Sequence, residues 1–282
     1  MISESQVGKD RRLKRLFSNP DGKVIFVPLD DSLLSGPTGG LEVMRKKIEL
    51  ITQDPPDALM GFPGLFKMYG DILWNVPSIL NITASTTRSD HTHKVLVGSV
   101  KQAVKLGMDA VAVHVNITSK FESDMIRILG AISQECDEYG MPLLGIMYPR
   151  KEAPEGDDNY LDLKKNNPKE YAKIVAHAAR VGTELGADFI KTQYTGTPDS
   201  FRFVLEACEP IPVVVAGGVA LEPIAMLQMA YDVISAGGRG FSFGRNVFSR
   251  NNPQPFISAL KAIVHSGATP KDVLGMITEK NK

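Results

Sequence analysis

Cysteine is nearly absent: 282 residues contain two, Cys136 and Cys208, far apart and without paired spacing. That excludes a disulfide framework and a structural zinc site of the paired-cysteine kind, and it suits a reducing cytoplasm. No apolar run reaches membrane length. The N-terminal stretch, charged at Lys9, Asp10, Arg11, Arg12, Lys14 and Arg15, lacks the apolar core of a secretory signal. A soluble cytoplasmic protein with no membrane partner is expected. Excess charge of either sign is missing too, with 32 Lys plus Arg against 32 Asp plus Glu. No global field therefore draws the chain to nucleic acid, and any phosphate binding has to be local. There is no Pro/Gly/Ser-rich linker, no low-complexity tract, and no Gly-x-Gly-x-x-Gly after the first apolar run, so the dinucleotide-binding fingerprint is lacking.

What is present is alternation. Eight short apolar runs read as strands: Val24 to Leu29, Ala58 to Gly61, Ile79 to Thr83, Ala110 to Val115, Leu143 to Met147, Asp188 to Thr192, Val213 to Ala216 and Gly240 to Phe243. Helical spacing fills the intervals at Leu41 to Thr52, Gly98 to Leu106, Phe121 to Tyr139, Pro168 to Leu185, Ser200 to Cys208 and Pro223 to Ser235, with a last helix over Pro255 to His265. Eight strand and helix units predict a single (β/α)8 TIM barrel spanning residues 1–282, with residues 1–20 as an N-terminal extension. The competing architecture is an open doubly wound sheet. Two connections are unusually long, Thr86 to Lys94 and Pro149 to Pro168; the second is polar and turn-rich and reads as a lid. The amphipathic Met1 to Arg15 segment suits either a helix over the barrel bottom or a subunit contact.

The chemistry concentrates at strand ends. In Ala187-Asp188-Phe189-Ile190-Lys191-Thr192 one lysine ends an apolar strand. Burial there favours the neutral amine, a nucleophile for a carbonyl, although a lysine at a strand end can also simply snorkel to water. Carboxyl ends of barrel strands surround one pocket, so Lys191 becomes a neighbour of Asp30, Asp31, His114, Tyr148 and Arg150. A Schiff-base aldol reaction needs an amine for the iminium and groups that move protons. Lys191, Asp30 and Tyr148 fit those roles. Competing readings are a turn cap for Asp30 or Asp31, a rim aromatic for Tyr148 and a core or rim histidine for His114. Strands seven and eight end in Ala216-Gly217-Gly218 and Gly244-Arg245-Asn246, which predicts a phosphate site at Gly217, Gly218, Gly244 and Arg245, with an ion pair to a neighbouring loop as the other use of Arg245. His91 and His93 have metal-compatible spacing, but their Ser, Asp and Thr neighbours predict a solvated loop; no metal and no cofactor is expected.

Val27-Pro28-Leu29-Asp30, Ser35-Gly36-Pro37, His114-Val115-Asn116, Gly140-Met141-Pro142-Leu143, Met147-Tyr148-Pro149-Arg150, Ile190-Lys191-Thr192, Ala216-Gly217-Gly218 and Gly244-Arg245-Asn246-Val247-Phe248 together resemble the archaeal-type class I aldolases over roughly residues 8 to 265. That group includes class I fructose-bisphosphate aldolases, 2-amino-3,7-dideoxy-D-threo-hept-6-ulosonate synthases and related bacterial aspartate-semialdehyde aldolases. The resemblance implies that Lys191 forms the iminium, Tyr148 exchanges the proton of the substrate hydroxyl, and Asp30 assists carbinolamine chemistry. It also implies phosphate binding around Gly217, Gly218, Gly244 and Arg245, and a homo-oligomer of barrels.

Three departures bear on substrate. Members commonly follow the first aspartate with His-Gly, where Asp31-Ser32 stands here. The fructose-bisphosphate branch usually has Trp two positions before its tyrosine, where this chain has Ile146. Lys151 replaces a frequent glycine after Arg150. The expected reaction joins a ketose phosphate or dihydroxyacetone phosphate to L-aspartate 4-semialdehyde and feeds an aromatic or aminobenzoate precursor. Cleavage of fructose 1,6-bisphosphate, a metal-dependent class II aldolase and a non-catalytic phosphate-binding barrel are the alternatives.

Overall fold

The computed structural model describes residues 3–154, 156–218 and 221–278. Eight parallel strands close into a barrel: β1 (Val24–Pro28), β2 (Ala58–Gly61), β3 (Ser78–Asn81), β4 (Ala110–Ile117), β5 (Leu143–Pro149), β6 (Phe189–Gln193), β7 (Val213–Ala216) and β8 (Gly240–Ser242). Each pairs with its sequence neighbours, and β8 returns to β1 with Val24 opposite Gly240 and Phe26 opposite Ser242. The TIM barrel read from the alternation is the fold; the open sheet is excluded by that closing pair.

Strand alternation sorts the apolar residues into two cores. Phe26, Met60, Ile79, Ala112, Leu144, Ile146, Phe189 and Val214 point inward and pack together. Ile25, Val27, Leu59, Leu80, Val111, Val113, Ile190, Val215 and Phe241 point outward under the helices. Inward positions that follow in the same alternation are His114 and Asn116 on β4, Tyr148 on β5, Lys191 on β6 and Ser242 on β8. The upper barrel is thus polar where the lower barrel is greasy.

The expected helices form at Met44–Ile51, Val100–Lys105, Glu122–Tyr139, Pro168–Glu184, Pro198–Cys208, Pro223–Ala236 and Gln254–Ser266. Short ones escape periodicity because they last one or two turns: Asp31–Ser35, Pro63–Met68, Gly70–Leu73, Leu161–Asn166 and Arg245–Phe248; a further helix, Pro270–Thr278, follows the last expected one. β4 and β5 run longer than expected because they pair continuously from Val111 opposite Leu143 to Ile117 opposite Pro149.

The N-terminal segment packs over the barrel bottom; Met1 and Ile2 lie outside the described residues. Helix Glu4–Leu16 is capped by the Ser3 hydroxyl, which accepts from Gln6 N–H. Leu16 enters the inner core, and Phe17 meets Phe189 edge-on at 5.6 Å. Lys9 bridges Asp137 at 2.7 Å and Asp188 at 3.1 Å, and Arg15 bridges Asp109 at 2.8 Å. Gly140 ends helix Glu122–Tyr139 at φ 58°, and a Cβ there would stand 2.2 Å from the Ser5 carbonyl oxygen, so the approach of the two helices requires glycine.

Candidate active site

The barrel mouth gathers the strand-end residues. Lys191, inward on β6, is 7% exposed, with Nζ 6.0 Å from the Phe26 ring centroid. No hydrogen bond or ion pair holds its amine among the described residues. In register, Ile146 lies between Lys191 and His114 across β6, β5 and β4. Tyr148 stands one inward step further up β5, 8% exposed, with His114 edge-on at 4.9 Å and the Arg150 guanidinium 5.4 Å from its ring centroid.

Asp30 follows β1 and accepts from Asn81 Nδ2 at 2.9 Å. Asn81 Oδ1 in turn accepts from Thr83 N–H at 3.2 Å, and Thr83 Oγ1 accepts from His114 N–H at 2.8 Å. One chain of hydrogen bonds therefore links β1, β3 and β4 and fixes the Asp30 carboxylate. Asp31 opens the short helix after β1, 3.5 Å from Arg245 Nε. Burial and the Asp30 charge raise its pKa above 3.8 despite opposing cations at Arg245, Lys191 and Lys94.

His114 is partly buried, and burial next to Lys94 and Arg150 holds it far below the ordinary histidine range, so the ring is neutral. Its Nε2 has no hydrogen-bond partner among the described residues, a state shared by Asn116 Oδ1 and Ser242 Oγ. All three atoms project into the upper barrel. Arg150 donates to Asn159 Oδ1 at 2.8 Å and pairs with Asp157 at 3.1 Å, which ties β5 to the connection that follows it.

That connection, expected as a lid, contains a two-stranded hairpin, Lys151–Ala153 with Gly156–Asp158. Glu152 docks it by accepting from Thr92 Oγ1 at 2.7 Å, Ser119 Oγ at 2.7 Å and Lys120 N–H at 3.1 Å. Burial raises this carboxyl, but the three hydrogen bonds outweigh it and hold the pKa down to about 2.

At β7 and β8 the glycines do two jobs. Gly217 N–H already donates to Ser242 O at 3.2 Å, and a Cβ would lie 2.8 Å from Phe243 Cδ1; Gly244 is less tightly placed against Pro28, with a Cβ 3.1 Å from its carbonyl oxygen. Packing therefore explains these two glycines, while Gly218, at φ 65°, faces open space. Arg245 realises the alternative ion pair, to Asp31, with its side chain half exposed.

The expected solvated loop at His91 and His93 is corrected. His93 stacks on Phe121 at 4.2 Å, and His91 Nε2 lies 3.2 Å from Arg150 Nη1. Burial, then Lys94 and Arg150, push His91 down to about 4. The cause is an antiparallel pairing of Thr83–Ala84 with Val95–Leu96, which folds the Thr86 to Lys94 connection back onto the mouth. It also buries Lys94, which sequence reasoning missed. The length of that connection was the one signal that pointed there.

A model of the DeoC/LacD family aldolases matches residues 24–250. The chain is 37% identical to 2-amino-3,7-dideoxy-D-threo-hept-6-ulosonate synthase 1 of Archaeoglobus fulgidus over 95% of both chains. It is 32% identical to the 2-amino-4,5-dihydroxy-6-oxo-7-(phosphonooxy)heptanoate synthase of Streptomyces griseus, covering 95% of this chain and 94% of that one. The solved structure of a Schiff-base-forming fructose-1,6-bisphosphate aldolase superposes with a TM-score of 0.79 at 28% identity, over 91% of this chain and 99% of that one. This chain belongs to the DeoC/LacD aldolase family and is a class I, lysine Schiff-base aldolase.

Proposed function

We propose that the chain joins a ketose phosphate or dihydroxyacetone phosphate to L-aspartate 4-semialdehyde through an enamine on Lys191, feeding an aromatic or aminobenzoate precursor in the cytoplasm. The observation that carries this reading is Lys191 itself, buried and inward-facing at the barrel mouth with no ion pair among the described residues. The two synthase relatives support the choice of substrates.

Lys191 Nζ attacks the donor carbonyl to give a carbinolamine. Asp30, held by Asn81 and flanked by Asp31, moves the protons by which water leaves and the iminium forms. Loss of the α-proton gives the enamine, whose carbon attacks the acceptor aldehyde. Tyr148, oriented by the His114 ring and the Arg150 cation, delivers a proton to the aldehyde oxygen as it becomes a hydroxyl. Water then releases the product and regenerates the amine. Gly218, Gly244 and Arg245 hold the donor phosphate, and Gly217 shapes the loop beneath it. His114, Arg150 and Asp31 line the acceptor side.

The test is intact-protein mass spectrometry after borohydride treatment with dihydroxyacetone phosphate. The parent should gain one donor adduct and Lys191→Met none; an adduct that survives in Lys191→Met removes Lys191 from the mechanism. Fructose 1,6-bisphosphate cleavage is the second reading, favoured by the 28% identical aldolase structure. Ile146, buried between Lys191 and His114, stands against it. In a substrate panel on the parent and Ile146→Trp, dominant turnover of fructose bisphosphate by the parent would select that second reading.

A further inference from the structure

The wall formed by the Thr86 to Lys94 connection and the ends of β4 and β5 takes no part in the donor half of the reaction, yet it is dense in polar groups. Lys94 is 2% exposed. Among the described residues its Nζ has one hydrogen-bond partner, the neutral Ser85 Oγ at 2.5 Å, whose own proton goes to the His91 carbonyl at 2.9 Å. No carboxylate forms an ion pair with it among the described residues, and two of its three N–H donors have no acceptor there. An ammonium so enclosed is costly unless an anion meets it. Burial and the Arg150 charge lower Lys94 to about 7, against the more distant carboxylates Asp30, Asp157 and Asp31.

Two orphaned atoms, His114 Nε2 and Asn116 Oδ1, lie on the same wall, and Asn116 Nδ2 donates to Thr92 O at 2.7 Å. The barrel order places this wall across Lys191 and Tyr148 from the β7 and β8 glycine loops. A donor whose phosphate lies at those loops has its reacting carbon at Lys191. The acceptor then enters past Tyr148, and its far end is directed to Lys94.

We propose that Lys94 anchors an anionic group, carboxylate or phosphate, at the far end of the acceptor aldehyde and so makes the chain selective for charged acceptors. The inference rests on the aldol reading above and adds the chemistry by which the second substrate is chosen. The parent, Lys94→Met and Lys94→Arg are compared with dihydroxyacetone phosphate as donor and three acceptors: L-aspartate 4-semialdehyde, D-glyceraldehyde 3-phosphate and uncharged D-glyceraldehyde. Lys94→Met should lose about 10- to 100-fold in kcat/KM with an anionic acceptor, mainly through KM, the range expected for one charge-assisted hydrogen bond. The loss with D-glyceraldehyde should be at least tenfold smaller, and Lys94→Arg should recover most of the difference. Which anionic aldehyde suffers tells carboxylate from phosphate. Equal losses with all three acceptors overturn the proposal. So does a parent enzyme that prefers neither anionic acceptor to D-glyceraldehyde, a result that needs no variant to fold. A parent that forms no borohydride-stable adduct marks instead the failure of the aldol reading, and this inference falls with it.

Discussion

Asp31 shows how a single side chain can carry a cost that the fold maintains. Its carboxyl is raised by burial and by Asp30 beside it, more than Arg245, Lys191 and Lys94 lower it. A carboxyl raised in the folded state binds its proton more tightly there than in the unfolded chain, so stability falls as pH rises past the ordinary value of 3.8. Asp31→Asn should therefore melt higher than the parent at pH 7, and the gap should shrink as pH is lowered towards 3.8, read by calorimetry across that range. A variant melting lower at pH 7 would mean that the Arg245 pair outweighs the burial. Other residues differ in how far their placement was readable. Lys191, Asp30 and Tyr148 were legible because a polar side chain at the end of an apolar run is a local pattern. Lys94 was not, since nothing in His91-Thr92-His93-Lys94 says that the segment folds back over the mouth.

At the scale of elements, the hairpin after β5 hangs on Glu152. That residue reaches Thr92 in the β3 to β4 connection and Ser119 with Lys120 after β4, so one carboxylate ties three loops together. Its depressed pKa of about 2 keeps the carboxylate charged, and the anchor present, down through ordinary carboxylate pH; the stabilisation is lost as pH falls from 4.5 towards 2. Glu152→Gln should accelerate amide hydrogen exchange in the Lys151 to Asp158 segment by about tenfold while β4 and β5 stay protected, tenfold corresponding to about 1.4 kcal/mol. Unchanged exchange would leave Arg150 with Asp157 and Asn159 as the real tether. A polar connection of that length suggested a lid; that it docks through the Glu152 carboxylate depends on partners distant in the chain.

For the whole molecule, the ring is held at its bottom where the last long helix meets the first two strands. His265 Nδ1 lies 3.0 Å from Asp21 and Nε2 3.1 Å from Asp57, whose Oδ2 also accepts from Ile25 N–H at 2.6 Å. Burial disfavours the imidazolium, but the hydrogen bonds and charges of Asp57 and Asp21 outweigh it and raise the pKa. This stabilisation is complete below 6.5 and disappears as pH rises through the folded-state value. His265→Gln should cost about 1.5–3 kcal/mol at pH 6 and less at pH 8, measured by denaturant titration. An equal cost at both pH values would exclude the charged bridge. The homo-oligomer implied by the family resemblance is a proposal at this scale. Met68 and Trp74, 63% and 79% exposed after β2, offer apolar surface for it. Light scattering should give a mass above that of one chain, and a monomer would refute it.

Eight apolar runs separated by helical spacing were enough, by themselves, to specify a parallel barrel, because each unit can bury its strand only between helices and neighbouring strands. The same patterns put Lys191 at a strand end, and the barrel order put it near Asp30 and Tyr148. Tertiary structure alone decided which polar groups keep unmet hydrogen-bonding capacity among the described residues. Lys94, His114 Nε2, Asn116 Oδ1 and Ser242 Oγ owe their burial to inward alternation and to a back-folded connection, so their unmet hydrogen-bonding capacity belongs to no local segment. It likewise packed Gly217 against Phe243 after β8, and it brought Gly244 to Pro28 and Arg245 to Asp31, since those two contacts join loops that meet only when β8 closes against β1.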